Sequence, residues 1–191
     1  MKLVILDRDG TINEDSDDFV KTSEEWIPQR GALEAIAKLN HAGWHVVIAS
    51  NQSGLGRGLF DVVSLNAMHA KMHKLLAAVG GRVDAVFYCP HAPDDNCGCR
   101  KPRPGLFEQI GERFGVDLKA VPAVGDSVRD VQAAAAAGCE PHLVLTGKSL
   151  HCRGQSLPAE IPAGTVVHED LMAFANFLIA REMPPKKAPL P

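Results

Sequence analysis

Four short apolar runs, each stopping on a cluster of polar residues, constrain this chain more than any other feature. Lys2–Leu6 ends on Asp7-Arg8-Asp9, His45–Ala49 on Ser50-Asn51-Gln52, Val83–Tyr88 on Cys89-Pro90-His91, and Ala120–Val124 on Gly125-Asp126-Ser127. Short apolar runs bounded in this way read as buried strands. Between them lie helix candidates. Gly31–His41 carries Leu33, Ile36, Ala37 and Leu39 near helical spacing and is stopped by Gly43. Val62–Val79, Phe107–Phe114 and the alanine-rich Val128–Ala137 follow, the last closed by Gly138. His142–Leu145 is a fifth strand, Thr165–Val167 a candidate sixth, and a final helix starts at Glu169. Strands alternating with helices require crossover connections, so the predicted fold is α/β: a Rossmann-like parallel sheet with helices on both faces. Ligands bind beyond the carboxyl ends of such strands, where all four polar clusters fall.

The chain has 191 residues, enough for one domain with a real core, predicted over residues 1–182. Residues 183–191, rich in proline and lysine, are expected to be a disordered tail. A net charge of −3 argues against a broad nucleic-acid or anionic-membrane surface, so any phosphate must be met by a local site. The first residues lack the apolar length of a signal peptide, and no run approaches the roughly 20 apolar residues of a membrane span, so a cytoplasmic protein is expected. Nothing marks a subunit seam, and a monomer is expected.

Asp7 and Asp9 lie two apart beyond a strand, so an extended backbone projects both side chains to one side. Gly10 permits a sharp turn and Thr11 adds a hydroxyl. Two acids this close repel unless their roles differ. A bound Mg²⁺ would keep Asp7 ionised as a nucleophile for phosphorus, while Asp9 keeps a proton for the leaving alcohol and later takes one from water. On the same rim Ser50 offers a hydroxyl, Asn51 and Gln52 further polar groups, and Lys101 a fixed positive charge for a phosphoryl group. Asp126 is placed to complete a magnesium shell, and Asp130, one helical turn on, to steady that shell or Lys101.

Between the third strand and Lys101 runs CPHAPDDNCGC. Cys89, His91, Cys97 and Cys99 supply three thiolates and an imidazole, a full tetrahedral set for Zn²⁺. Four protein ligands leave no open position, so this is a structural zinc-binding loop, tying down the segment just before Arg100 and Lys101. Cys139 and Cys152 read as ordinary thiols. His69 and His73 have a spacing that metal pairs use, but with no third ligand nearby an exposed helix face is expected. Ser53–Gly58 lacks the G-x-G-x-x-G spacing of a dinucleotide site and reads as a flexible loop beside the substrate.

Taken together, Asp7-Arg8-Asp9-Gly10-Thr11, Ser50, Lys101 and Gly125-Asp126-x-x-x-Asp130 resemble the four-motif signature of the haloacid dehalogenase superfamily of phosphatases. The resemblance implies that Asp7 is the nucleophile and Asp9 the general acid/base. Asp7, the Asp9 backbone carbonyl and Asp126 would ligate magnesium, with Ser50 and Lys101 holding the phosphoryl group. LDRDGTIN, SNQSGLGRG, CPH with CGCRKPRPG, VGDSVRD and LTGK further resemble the branch that dephosphorylates heptose bisphosphates, in making activated heptose for lipopolysaccharide. That branch lacks a large cap domain, which implies that Asp15, Ser16, Asp17, Asp18 and Phe19, with Asn51, Gln52 and Ser53, shape the pocket while Arg100 meets a second phosphate. The span from His91 to Cys97 is shorter than in some of its members and is similar to that of the sister histidinol-phosphate phosphatases, which stay as the alternative. A non-catalytic zinc-bearing binding module is the rival from another class, although it would be expected to lose Asp7, Asp9 or Asp126. A nucleic-acid end phosphatase would want a basic groove and stacking aromatics, and the chain is 5% aromatic.

Overall fold

A computed structural model of the chain describes residues 1–182; the expectation for 183–191 lies outside them. Six strands form one all-parallel sheet in the order β3-β2-β1-β4-β5-β6. In chain order these are β1 (Leu3–Leu6), α1 (Ala32–His41), β2 (His45–Asn51), α2 (Ser53–Gly56), α3 (Val62–Ala78) and β3 (Ala85–Cys89). They continue with α4 (Gly105–Phe114), β4 (Pro122–Gly125), α5 (Val128–Ala136), β5 (Glu140–Val144), β6 (Val166–His168) and α6 (Leu171–Ala180).

Alternate residues of a strand face opposite sides, and the core divides accordingly. Val4, Leu6, Val46 and Ile48 pack on one side with Ile36 and Leu39 of α1, Leu65 and Met68 of α3, and Phe174 and Leu178 of α6. Leu3, Ile5, Val47 and Ala49 pack on the other with Leu106, Phe107 and Ile110 of α4 and Ala133 and Ala134 of α5. With both faces covered, the strands are apolar throughout rather than alternating. The order of the strands reverses at β1, whose neighbours are β2 and β4. The crevice that such a reversal opens at the carboxyl ends is where Asp7, Ser50 and Asp126 emerge.

The predicted elements are present, with shifted ends. β2 runs two residues further than expected, to Asn51, and β4 starts at Pro122 because Leu118–Ala120 forms a 3₁₀ turn before it. Ser53–Gly58, expected to be a flexible loop, is corrected: Ser53–Gly56 makes one helical turn, pinned to the third strand tip by a hydrogen bond from Gly56 N to Pro90 O at 2.9 Å. No helix among the described residues is long and apolar enough to cross a membrane.

Candidate active site

Asp7 leaves β1 with its backbone N–H still bonded to Val124 O at 2.9 Å, so the sheet itself fixes where its side chain begins. Lys101 reaches it from the far side of the β2 tip. An ammonium has three donors, and all three are used: Asp7 Oδ1 at 2.6 Å, Asp130 Oδ1 at 2.6 Å and Ala49 O at 2.7 Å. The Lys101 backbone is held as firmly, by a two-way exchange with the Asn51 side chain at 3.0 and 3.1 Å. Asp130 divides its carboxylate between two tasks. One oxygen pairs with Lys101 and the other accepts from Ser127 N and Ser127 Oγ at 2.9 and 2.6 Å, which caps α5. Burial, followed by repulsion from Asp130, lifts the Asp7 carboxyl to about 7 despite the lysine beside it.

Asp9 is held differently. Its carboxylate accepts from Arg8 Nη2 at 2.8 and 3.0 Å, from Arg8 Nε at 3.2 Å, from Asn13 at 2.9 Å and from Gln52 at 2.7 Å. Burial opposes ionisation, but the Arg8 charge and these donors outweigh it and keep the carboxyl below its ordinary range. These contacts favour the ionised form of Asp9, whereas the sequence alone implies that it keeps a proton. Gln52 also donates to Ser50 Oγ at 2.8 Å, so one amide ties two expected site residues together.

Asp126 sits in a cradle that only glycine permits. A Cβ on Gly10 (φ 88°) or Gly147 (φ 46°) would collide with its carboxylate. Its oxygens accept from Thr11 Oγ1 at 3.3 Å and from Lys148 N at 2.7 Å. Burial, then Asp130 and Asp7, raise its carboxyl well above the ordinary range. Oxygens of Asp7, Asp126 and Asp130 all lie within 4.8 Å of one another. Three carboxylates around one ammonium leave an excess of negative charge that a divalent cation suits, and oxygen-only ligands suit magnesium.

These groups line a cleft of about 270 Å³, near the small end for small-molecule sites. Asp15, Ser16, Asp17, Phe19, Asn51, Gln52, Ser53 and Arg100 line it as expected. Asp18 does not; it is exposed. Ser50 is buried and outside the lining. The Asn51 amide is occupied by the Lys101 backbone, which makes it a brace for Lys101. Three cationic contributors went unforeseen: Arg57, Arg129 and Lys148. Lys148 Nζ grips Asp15 at 3.0 Å and Asp17 at 2.6 Å, tying the segment after β1 to the tip of β5. Arg57 lies over the Phe19 ring, 5.8 Å from its centroid. Arg100 Nη1 is buried without an acceptor; burial and then the charge of Arg129 disfavour its cationic form, and Arg57 adds to that. Neighbouring arginines in the lining, one with an unmet donor, have the chemistry that suits an anion. The signals were present in the sequence: Arg57 and Arg129 follow two of the polar tips, and Lys148 follows the fifth.

His69, expected on an exposed face, is corrected too. It is half-buried, with Nε2 3.3 Å from Arg8 Nη1, because α3 packs across the base of the first polar tip; His73 is exposed as expected.

Beside the cleft, Cys89, His91, Cys97 and Cys99 converge. Cys89 Sγ lies 3.5 Å from Cys97 Sγ and 3.5 Å from His91 Nδ1, and Cys99 Sγ lies 3.4 Å from the same nitrogen. These are too long for a disulfide. They match the edges of a tetrahedron around a zinc ion with bonds of about 2.3 Å to sulfur and 2.0 Å to nitrogen, which are roughly 3.5–3.8 Å.

Comparison with known proteins agrees. A family model described as HAD-hydrolase-like matches residues 98–173. The D-glycero-beta-D-manno-heptose-1,7-bisphosphate 7-phosphatase of Bordetella bronchiseptica is 59% identical over 179 residues, 94% of this chain and 98% of that protein. The enzyme of the same name from Pseudomonas aeruginosa is 52% identical over 177 residues, 93% of this chain and 97% of its own. The crystal structure of D,D-heptose 1,7-bisphosphate phosphatase from B. bronchiseptica, complexed with magnesium and phosphate, superposes with a TM-score of 0.90 at 58% identity, covering 95% of this chain and 99% of that one. With identity at this level over nearly the whole length of both chains, this protein belongs to the heptose-1,7-bisphosphate 7-phosphatase family of haloacid dehalogenase-like phosphatases.

Proposed function

We propose that this chain hydrolyses the 7-phosphate of D-glycero-beta-D-manno-heptose 1,7-bisphosphate, passing the phosphoryl group through Asp7 to water. The observation that carries this reading is a cleft lined by two unlike charged groups. One is the buried Asp7 carboxylate beside Lys101; the other is Arg57, Arg100 and Arg129, which form no ion pair among the described residues. A substrate with a phosphate at each end fits that division of charge.

In the first half-reaction an Asp7 oxygen attacks phosphorus, and the sugar oxygen leaves with a proton from Asp9. In the second, Asp9 takes a proton from water, the hydroxide attacks the acyl phosphate, and Asp7 is restored as inorganic phosphate departs. Arg8 keeps Asp9 ionised, which suits the second half. For the first half a dianionic phosphate brought beside Asp9 raises its pKa by like-charge repulsion and lets it take up the proton it then gives. Lys101 bonds the charged Asp7 carboxylate; once that oxygen is phosphorylated its charge has moved outward, and the same N–H follows it onto the phosphoryl oxygens. Magnesium, when bound, neutralises charge on the transferring group and holds Asp7 ionised. Asp7 and Asp126 would hold it, together with the Asp9 backbone carbonyl, since both Asp130 oxygens are committed to Lys101 and Ser127.

Cys89, His91, Cys97 and Cys99 would hold zinc with no position left open, which makes its part mechanical: it stiffens the loop that delivers Arg100 and Lys101. Unpaired thiols at this density suit a reducing compartment, and we assign the protein to the cytoplasm. We take the catalytic unit to be a monomer. In the pathway the enzyme would act between a heptose kinase and nucleotidyl transfer.

Phosphate release from the heptose bisphosphate and from histidinol phosphate, each with and without Mg²⁺, tests the assignment. Magnesium-dependent turnover of the bisphosphate at a far higher kcat/KM is expected. Preference for histidinol phosphate would move the protein to the sister branch, and turnover of neither would leave only a binding role.

A further inference from the structure

Arg8 is wholly buried and takes no part in the cleft wall, yet each of its nitrogens has a partner. Nε and Nη2 hold the Asp9 carboxylate, and Nη1 lies 3.3 Å from Nε2 of His69 on α3. A guanidinium donates five hydrogen bonds, accepts none and does not give up its proton in a protein. Any ring nitrogen that bonds it must therefore offer a lone pair. His69 Nε2 is consequently bare, and the single ring proton is on Nδ1. Half-burial and then the Arg8 charge agree, pushing His69 down to about 4, so the ring is neutral at ordinary pH.

The helix carrying His69 is itself fixed. Leu65, Met68 and Met72 on the same face of α3 are fully buried. The order of support therefore runs from the core to α3, from His69 to Arg8, and from Arg8 to Asp9. Gln52 and Asn13 hold the Asp9 oxygens from other directions, but among the described residues Arg8 alone contacts both of them. Without an acceptor at position 69, a buried N–H would face no partner, and the guanidinium would tilt to find one and carry the carboxylate with it.

We propose that His69 is a positioning residue for the phosphatase reaction: as the neutral Nδ1–H tautomer it accepts from Arg8 Nη1 and thereby fixes the direction in which Asp9 presents its carboxylate to the cleft. The proposal rests on the reading of Asp9 as the acid/base. His69 lines no part of the cleft, so its removal acts on turnover and spares substrate binding.

The test compares His69→Leu, which fills similar space without an acceptor, with His69→Gln, whose amide oxygen accepts, in the full-length protein with magnesium and the heptose bisphosphate. His69→Leu should lower kcat about tenfold, part of the roughly 10²–10⁴ that acid/base catalysis supplies, with KM within twofold. His69→Gln should return kcat to within about threefold of wild type. Unchanged kcat in the leucine variant, a rise in KM alone, or a glutamine variant as impaired as the leucine one would overturn the proposal. Nitrogen-15 NMR of the imidazole in the wild-type protein gives a readout free of folding and turnover: an unprotonated Nε2 at neutral pH is expected, and an Nε2–H tautomer or a charged ring would refute it. Absence of turnover in the wild type would instead count against the phosphatase assignment, leaving the tautomer to be read on its own.

Discussion

Lys101 Nζ and Asp130 Oδ1 lie 2.6 Å apart, and the same nitrogen holds Asp7 at the same distance. Asp130 thus acts as a fixed counterweight: it keeps the ammonium from collapsing wholly onto the nucleophile while capping α5 through Ser127. Asp130→Asn keeps the shape and removes the charge, so Lys101 should swing to Asp7 and lose its aim at the phosphoryl group. The expected result is a fall in kcat of about a hundredfold, the scale of losing one preorganised electrostatic group, with a nearly unchanged circular-dichroism spectrum. A kcat within twofold of wild type would show that Lys101 needs no second carboxylate.

Asp7 gives the metal-free protein a dependence on pH whose sign is fixed. Its carboxyl is raised from 3.8 to about 7, chiefly by burial. Below about pH 4 it is protonated in both folded and unfolded chains. Between about 4 and 7 the unfolded chain releases that proton and the folded one keeps it, so stability falls as pH rises. At about 1.4 kcal/mol for each unit, the loss is a few kcal/mol, or on the order of 5–10 °C in Tm. Asp7→Asn has no such proton. Its Tm in EDTA should gain on wild type between pH 4.5 and 7.5 by that margin, while turnover is abolished. A gap of equal size at both pH values would mean that burial does not govern this carboxyl.

Cys97 is the member of the Cys–His cluster whose loss tests the loop most directly, because Arg103 Nη1 also bonds its carbonyl at 2.6 Å and keeps the backbone in place when the thiol goes. The purified wild-type protein should contain about one zinc per chain by mass spectrometry of metals. Cys97→Ser should lose most of it and melt several degrees lower. Because Arg100 and Lys101 are the two residues that follow Cys99, KM for the bisphosphate should rise as well. Zinc below about 0.1 per chain in the wild type would remove the metal from the account.

The sheet and four of its tips were legible because burial on both faces writes strands as unbroken apolar runs, and a change to polar residues marks where each leaves the core. The places of Asp7 and Asp126 in the cleft lining were legible for the same reason. Less visible were groups whose role depends on what lies across the fold. Arg8 had no role assigned between the two acids, yet its charge is what favours the ionised form of Asp9. Lys148 belongs to a fifth tip, with its partners Asp15 and Asp17 some 130 positions earlier in the chain, a pairing that local pattern does not reveal. His69 was expected on an exposed helix face, and the packing of α3 against the first tip turns it inward.

Arg57 and Arg129 provide the sharpest test of how the cleft selects its substrate. They come from different segments, one following α2 and one in the first turn of α5, and with Arg100 they bring three guanidinium groups to the lining of the cleft. Their mutual repulsion is relieved by a dianion and by little else, so each should contribute to binding the phosphate that stays on the sugar and little to chemistry at the one that leaves. Arg57→Ala and Arg129→Ala should each raise KM for the bisphosphate about tenfold, near the 1.5–3 kcal/mol of a charged hydrogen bond once partial solvent exposure is discounted, with kcat falling less than threefold. The same variants should handle heptose 7-phosphate, which has no second phosphate, with a kcat/KM within twofold of wild type. Equal losses on both substrates, measured by steady-state phosphate release, would place these arginines at the transferring phosphate and overturn their assignment to the phosphate that stays.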